Sequence, residues 1–423
     1  MATSVSNTFT IDIQPRKPAA NLPAWVPPAG FFADVPMLNN PQDVMPAIYA
    51  LSSGDTTAMD SPFIQWGGSA VVRDYSALGA QVYYSTGHES SLRQPNIQFA
   101  LICDFSSLTW STSNVPRQPN ALGDFVNGLA PDGTPYCAHT YLTLQEFPTA
   151  WGGGKQGSLA AFFQAGSNYD NKINLLDLSQ AQLGYSQLAT RQPTYPNATS
   201  AQLSSKGNNT GTHAITVIDY ARQGWWVATT GSVDYTLFVN KSGTIAEYPA
   251  LGGNLANGTM VLCAALNLLI AVDGGYRSGQ YAGTGYRSLH VRDLTTGKVT
   301  KSLTLGPVPS INDGYDGSKD SYHRPDVLGL QWVDELGCII GLDQSVSPPV
   351  IVKLAPPAQN PATGQWTWSV VTSLRHWPED KSGQAELQVA QNNYWSKFRW
   401  VPALHAFVFC TAKNRKPQVV KLN

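Results

Sequence analysis

One phrase recurs six times along the chain: an apolar run, a tight turn and a second apolar run. The clearest copies are Ala70–Gly87, Ile215–Gly231, Leu328–Asp343 and Phe398–Cys410, with weaker ones at Val261–Gly275 and at Tyr141–Phe147, whose second run is Ala160–Gly166. In the tighter copies Asp74, Asp219, Asp334 or Pro402 stands where the apolar pattern breaks. Each copy therefore reads as an antiparallel hairpin. Self-similarity at this period points to one small sheet per repeat in a radial array, rather than to a sandwich.

A second marker fixes the register. After each hairpin comes a third apolar strand, ending at Asp104, Asp177, Asn240, Asp293, Lys353 and Lys421 in turn. Asp or Asn followed by Ser, Thr or Gly suits a turn, because the short side chain bonds its own backbone. A fourth, shorter strand usually follows. The expectation is an all-β chain folded as a six-bladed β-propeller with four-stranded antiparallel blades. The sixth copy ends after its third strand, and the alternating segment Thr8–Gln14 is the expected outer strand that closes that last blade. Residues 1–57 are then an N-terminal arm with closing strand and linker, and 58–423 the propeller. The stretch Asn21–Leu51 leaves a seven-bladed ring as the alternative.

Composition narrows the partners. Charged residues are only 13% of the chain and formal net charge is −1. There is no electrostatic case for binding nucleic acid or an anionic membrane. No apolar stretch reaches membrane-spanning length. The first residues lack a basic-then-apolar leader, so the expectation is a protein made in the host cytoplasm and not exported. The five cysteines, Cys103, Cys137, Cys263, Cys338 and Cys410, show no metal-ligand spacing and read as buried, inert thiols.

Propeller topology sorts the connections by face, and nearly all the long ones fall on the face that carries blade-to-blade links. Long unstructured connections persist where they bind something. One of them, Gly274–Ser288, carries Tyr276, Arg277, Tyr281, Tyr286 and Arg287 in a glycine frame, a density of Tyr and Arg suited to a protein or sugar surface. Another carries Tyr322, His323 and Arg324 beside Asp313, Asp316, Asp320 and Asp326. The carboxylates Asp313, Asp316 and Asp320 offer oxygen ligands for Ca2+, although their spacing is not that of an EF-hand, and a solvated turn is the alternative. No other cofactor is indicated. Among the tryptophans, Trp110, Trp332 and Trp400 sit in strand patterns. Trp151, Trp377 and Trp395 sit in loops, where flat rings either stack on a sugar or pack between blades. His139 and His213, near starts of inner strands, are candidates for the channel mouth.

The segment Val82–Trp110, an apolar strand ending in Gly, a variable loop, then apolar-Asp-x-Ser and an aromatic, resembles a kelch blade, with Gly87–His88 where kelch repeats carry a glycine pair. The ligand set of the copper-radical oxidases within that fold has no counterpart here, so their activity is not implied. Little charge, a polar N-terminal arm and degenerate blades make the chain similar to kelch-like proteins of tailed bacteriophages and prophages. That resemblance implies a non-enzymatic virion component on a tail or capsid surface. Its partners would be other virion proteins, a host surface glycan and further copies of itself, with the arm Met1–Pro36 partly free to dock on another chain. The alternatives are a carbohydrate-binding or carbohydrate-active propeller and a cytosolic kelch-type interaction module.

Overall fold

The computed structural model describes residues 21–44, 67–84, 100–112, 140, 142–162, 172–179, 184–189, 215–228, 235–252, 258–273, 288–307, 328–344, 346–371, 374–379, 386–389, 394 and 396–422. They form six small sheets around one axis. After β1 (Phe31–Asp34), the first blade is β2 (Gly68–Val72), β3 (Ala80–Tyr84), β4 (Ala100–Asp104) and β5 (Thr109–Thr112). The second is β6 (Leu144–Phe147), β7 (Ser158–Phe162), β8 (Lys172–Asp177) and β9 (Gly184–Ala189). The third is β10 (Ile215–Asp219), β11 (Gly224–Ala228), β12 (Tyr235–Asn240) and β13 (Ile245–Pro249). The fourth is β14 (Thr259–Cys263), β15 (Leu268–Val272), β16 (Ser288–Asp293) and β17 (Val299–Leu303), and the fifth is β18 (Gln331–Val333), β19 (Cys338–Asp343), β20 (Val350–Ala355) and β21 (Thr367–Val371). The sixth gathers β22 (Arg375–His376), β23 (Arg399–Val401), β24 (Ala406–Phe409), β25 (Gln418–Lys421) and β1.

The inner strands β2, β6, β10, β14, β18 and β23 neighbour one another in turn, and β23 returns to β2. The chain is thus a six-bladed propeller with antiparallel blades, and the described part of the stretch Asn21–Leu51, residues 21–44, supplies a strand to the sixth blade rather than a seventh. The apolar runs are continuous rather than alternating because a blade is covered on both faces: Ala80–Tyr84 and Leu268–Val272 are buried at every position. Where third strands end, the expected turn chemistry is present. Asp104, Asp177, Asn240 and Asp293 each accept a hydrogen bond from the backbone N–H two residues on, at 2.8–3.0 Å.

An N-terminal strand closes the last blade, as expected, but a different stretch supplies it. The outer strand of the sixth blade is Phe31–Asp34, antiparallel to β25 with Phe31 opposite Lys421 and Asp34 opposite Gln418. Thr8–Gln14, expected in that slot, lies outside the described residues. On its other side β1 pairs in parallel with β22, which gives this blade a fifth strand. The chain then crosses the seam to the first blade. Leu38 N–H donates to Leu108 O, and the Asn39 amide bonds both N–H and C=O of Trp110 at 2.7 and 3.0 Å, acting as one rung of a strand.

This arrangement is part of a pattern at the rim. The segment leaving the fourth blade pairs Leu305 in parallel with Thr367 of β21. The segment leaving the fifth pairs with β1, and the segment leaving the sixth bonds β5. Each strap covers an outer edge that would otherwise present unpaired N–H and C=O groups.

Phe32 is buried in the core shared by the fifth and sixth blades and meets His376 edge-on at 5.3 Å. Phe32→Ala is expected to cost about 3–5 kcal/mol in chemical denaturation. Deleting residues 1–20 is expected to leave the unfolding midpoint of the monomer unchanged, whereas deleting 1–36 lowers it sharply; an equal loss from both deletions would place the closing strand elsewhere.

Candidate functional site

Connections from second to third strands, and from outer strands to the next blade, leave from one end of the blades. The seven longest connections, 35–67, 85–99, 113–143, 190–214, 273–287, 304–330 and 372–398, are all of this kind. At the other end the longest is 356–366. Most sequence-derived candidates lie in the long connections and outside the described residues: Tyr276, Arg277, Tyr281, Tyr286, Arg287, Tyr322, His323, Arg324, Trp395, the Asp313, Asp316 and Asp320 set, and His139 and His213. Among the described residues no group of three or more His, Cys, Asp or Glu is placed to hold a metal. At the root of the Tyr/Arg connection, Asp273 and His290 are both buried, with Oδ2 and Nε2 3.2 Å apart.

The loop tryptophans that are described pack rather than project. Trp377 lies half-buried against the core shared by the sixth and first blades, and its N–H donates to Phe32 O. Trp151 sits edge-on to Phe147 and Trp225 at 6.1 and 5.4 Å, filling the space between the second and third blades. Trp110 is buried in the core, as its strand pattern implies, while Trp332 is half-buried between blades four and five and Trp400 between blades five and six. Cys103, Cys263, Cys338 and Cys410 are buried free thiols. Burial raises all four above the ordinary thiol range, Cys410 to about 12, so they are inert at neutral pH.

A second constellation, at the short-turn end, was not visible as a motif. Arg73, just after β2, places its guanidinium 4.0 Å from the ring centroid of Tyr220, just after β10. Between them, Glu146 of β6 accepts the Arg73 N–H at 2.6 Å and the Tyr220 hydroxyl at 2.9 Å. Blades one, two and three are joined here by one carboxylate that is 3% exposed. Burial raises the Glu146 carboxyl, and Arg73 and Tyr220 only partly offset it. Burial opposes the Arg73 charge, but Tyr220, Glu146, Asp334 and Asp74 outweigh it and hold the group above its ordinary value. Tyr220 is pushed well above the phenol range by burial and stays a neutral donor. Asp334 from the fifth blade accepts the N–H of Ala265 in the fourth, and His405 of the sixth pairs with Glu335 of the fifth.

Further along the inner strands, side chains tie each seam to backbone. Gln145 donates to Thr216 O at 2.7 Å, Gln331 donates to Phe398 O and accepts from Trp400 N–H, and Arg399 donates twice to Ser69 O. Ser69 donates twice to Ser396, from its backbone N–H to Oγ and from its hydroxyl to the carbonyl O, and Gln81 donates to Lys397 O. Burial lowers Arg399 to about 10 and the fully buried Lys397 from 10.5 to about 7. This arrangement is suited to holding six blades in register. A polar residue at the end of each inner strand was the available signal, but its meaning depends on the ring bringing those ends together.

The class of protein this defines is the six-bladed β-propeller, and the strand pairing itself establishes it. No protein-family model and no curated protein matches the sequence. Solved structures similar to it include TolB from Acinetobacter baumannii, at 12% identity and TM-score 0.35, with 74% of this chain and 58% of that chain covered. The Malassezia sympodialis allergen Mala s 1 is similar at 10% identity and TM-score 0.36, covering 84% and 92%. The Cps50 (Swd1) propeller domain of Myceliophteria thermophila is similar at 9% and 0.34, covering 84% and 97%. For TolB the match spans less than two thirds of that chain.

Tyr220→Phe leaves a buried carboxylate oxygen without its donor and is expected to cost about 1–3 kcal/mol in chemical denaturation. Lys397 has a different signature. Because its folded value lies below its unfolded one, the unfolded chain holds the extra proton between pH 7 and 10.5, so stability rises with pH across that window. Thermal melts of Lys397→Met at pH 6, 8 and 10 are expected to show that rise flattened relative to the unaltered chain.

Proposed function

We propose that the chain is a non-enzymatic structural or attachment propeller of a bacteriophage virion, on the tail or capsid surface, that binds neighbouring virion subunits and host glycan. The observation that carries this reading is the one-sided placement of the seven longest connections. A rigid ring with its elaboration on one face is built to present a surface, and the opposite end is occupied by seam-tying side chains. A chain with only 13% charged residues, its polarity drawn from Ser, Thr, Asn, Gln and Gly, suits stable packing among subunits better than electrostatic capture. The kelch-like resemblance supplies the virion setting.

When particles released from the source cells are separated on a density gradient and probed with an antibody to the chain, the protein is expected to band with intact particles. Recovery wholly in the soluble fraction overturns the virion reading.

The second reading, a carbohydrate-binding propeller, is favoured by one observation: the buried Asp273–His290 pair sits where the Tyr- and Arg-rich connection begins. On a glycan array, Tyr281→Ala and Tyr286→Ala are then expected to weaken any bound sugar on the order of tenfold. Retention of full signal by both variants excludes that connection as the sugar site.

A further inference from the structure

Among the described residues, the rim straps leave three outer strands, β9, β13 and β17, without a second partner. Among the described residues the edge of β21 is covered by Leu305, that of β1 by β22, and that of β5 by Leu38 and Asn39. β13 and β17 pair only with β12 and β16. The edges of β13 and β17 differ in chemistry. β13 carries exposed Glu247 and ends in Pro249, whose carbonyl accepts from Arg292 of the next blade. Charge and proline are the ordinary devices that keep an edge from recruiting another strand.

β17 carries one charge, the exposed Lys301, and no proline. Val299, Lys301 and Leu303 alternate along one side and Leu305 continues the series; Leu303 is 55% and Leu305 47% exposed. The opposite side is turned inward, with Ser302 buried and donating to Gly364 O. The result is an apolar stripe, interrupted by Lys301, beside a strand edge that no other strand pairs with among the described residues, a template for one more strand.

The sequence itself contains a segment of matching pattern. Thr8–Gln14 reads Thr-Phe-Thr-Ile-Asp-Ile-Gln, with Phe9, Ile11 and Ile13 on one side and polar residues on the other. The slot it suits in its own ring is taken by Phe31–Asp34. We propose that Thr8–Gln14 adds as a fifth strand to β17 of a second copy of this chain, laying Phe9, Ile11 and Ile13 over Leu303 and Val299.

The second copy, rather than the same one, follows from reach. Leu22 and Trp25 anchor the arm against the core of the sixth and first blades. Seven Cα steps separate Gln14 from Asn21, at most ~25 Å of chain. β17 lies on the fourth blade, with the whole rim of the fifth between. Donor and acceptor sites are different surfaces, so the contact is heterologous and propagates head to tail into rings or open chains. This inference does not depend on the virion reading, since self-association is measured on the purified chain.

Light scattering coupled to size exclusion, over a concentration series of the full chain, tests it. Ile11→Pro removes the donor and Leu303→Lys the acceptor, the latter at an exposed position. The unaltered chain is expected to form dimers and larger species, and each variant alone is expected to remain monomeric. Mixing the two variants restores one intact donor and one intact acceptor, so heterodimers that grow no further are expected. A monomeric unaltered chain, variants that assemble as it does, or a mixture that stays monomeric each overturns the proposal.

Discussion

The seam between the sixth and first blades is the constraint on which the ring depends. Every other seam joins blades that follow each other in the chain; this one joins residues more than three hundred positions apart. It is correspondingly well tied. The β1–β25 ladder locks the sixth blade, and Asn39 carries the same chain onto Trp110 of the first. On the inside, Ser69 meets Ser396 and Arg399, Gln81 meets Lys397, and the Tyr83 hydroxyl accepts the Cys410 N–H at 3.0 Å. Bringing such distant residues together costs loop-closure entropy, but that cost grows only slowly with separation, so a modest set of buried bonds can offset it.

The same logic explains the polar interior. A propeller's inner strands converge, and wholly apolar contacts there would allow blades to slide past one another. Side chains that bond backbone across a seam, such as Gln145 to Thr216 and Gln331 to Phe398, fix both spacing and register. The Arg73–Glu146–Tyr220 group extends the principle to three blades at once, with a buried carboxylate satisfied by two donors from different blades.

Much of the fold was legible because its signals are local. Six hairpins appear where paired apolar runs occur, and the Asp or Asn that ends four of the third strands accepts the backbone bond its turn needs. The closing strand was misassigned for a physical reason. Alternation, as in Thr8–Gln14, marks a strand with one face in solvent, whereas Phe31–Asp34 has neighbours on both edges and reads as a short apolar run between Pro28 and Pro36. β22, two residues long, carries no pattern at all. The axial group was hidden for the opposite reason: Arg73, Glu146 and Tyr220 are unremarkable singly, and only a closed ring makes them neighbours. The loop candidates stand out by composition alone, and of the three loop tryptophans the two among the described residues, Trp151 and Trp377, pack inward.

The antiparallel pairing of β1 with β25 has a mechanical corollary. Phe31 faces Lys421, and Gly30 bonds Lys421 O, so the two ends of the chain depart from the same end of one ladder. Tension applied between the termini therefore loads one rung at a time, as in opening a zipper, instead of shearing all four together. A ring tethered by both tails would yield at modest force, while the same ring gripped by its blades would not.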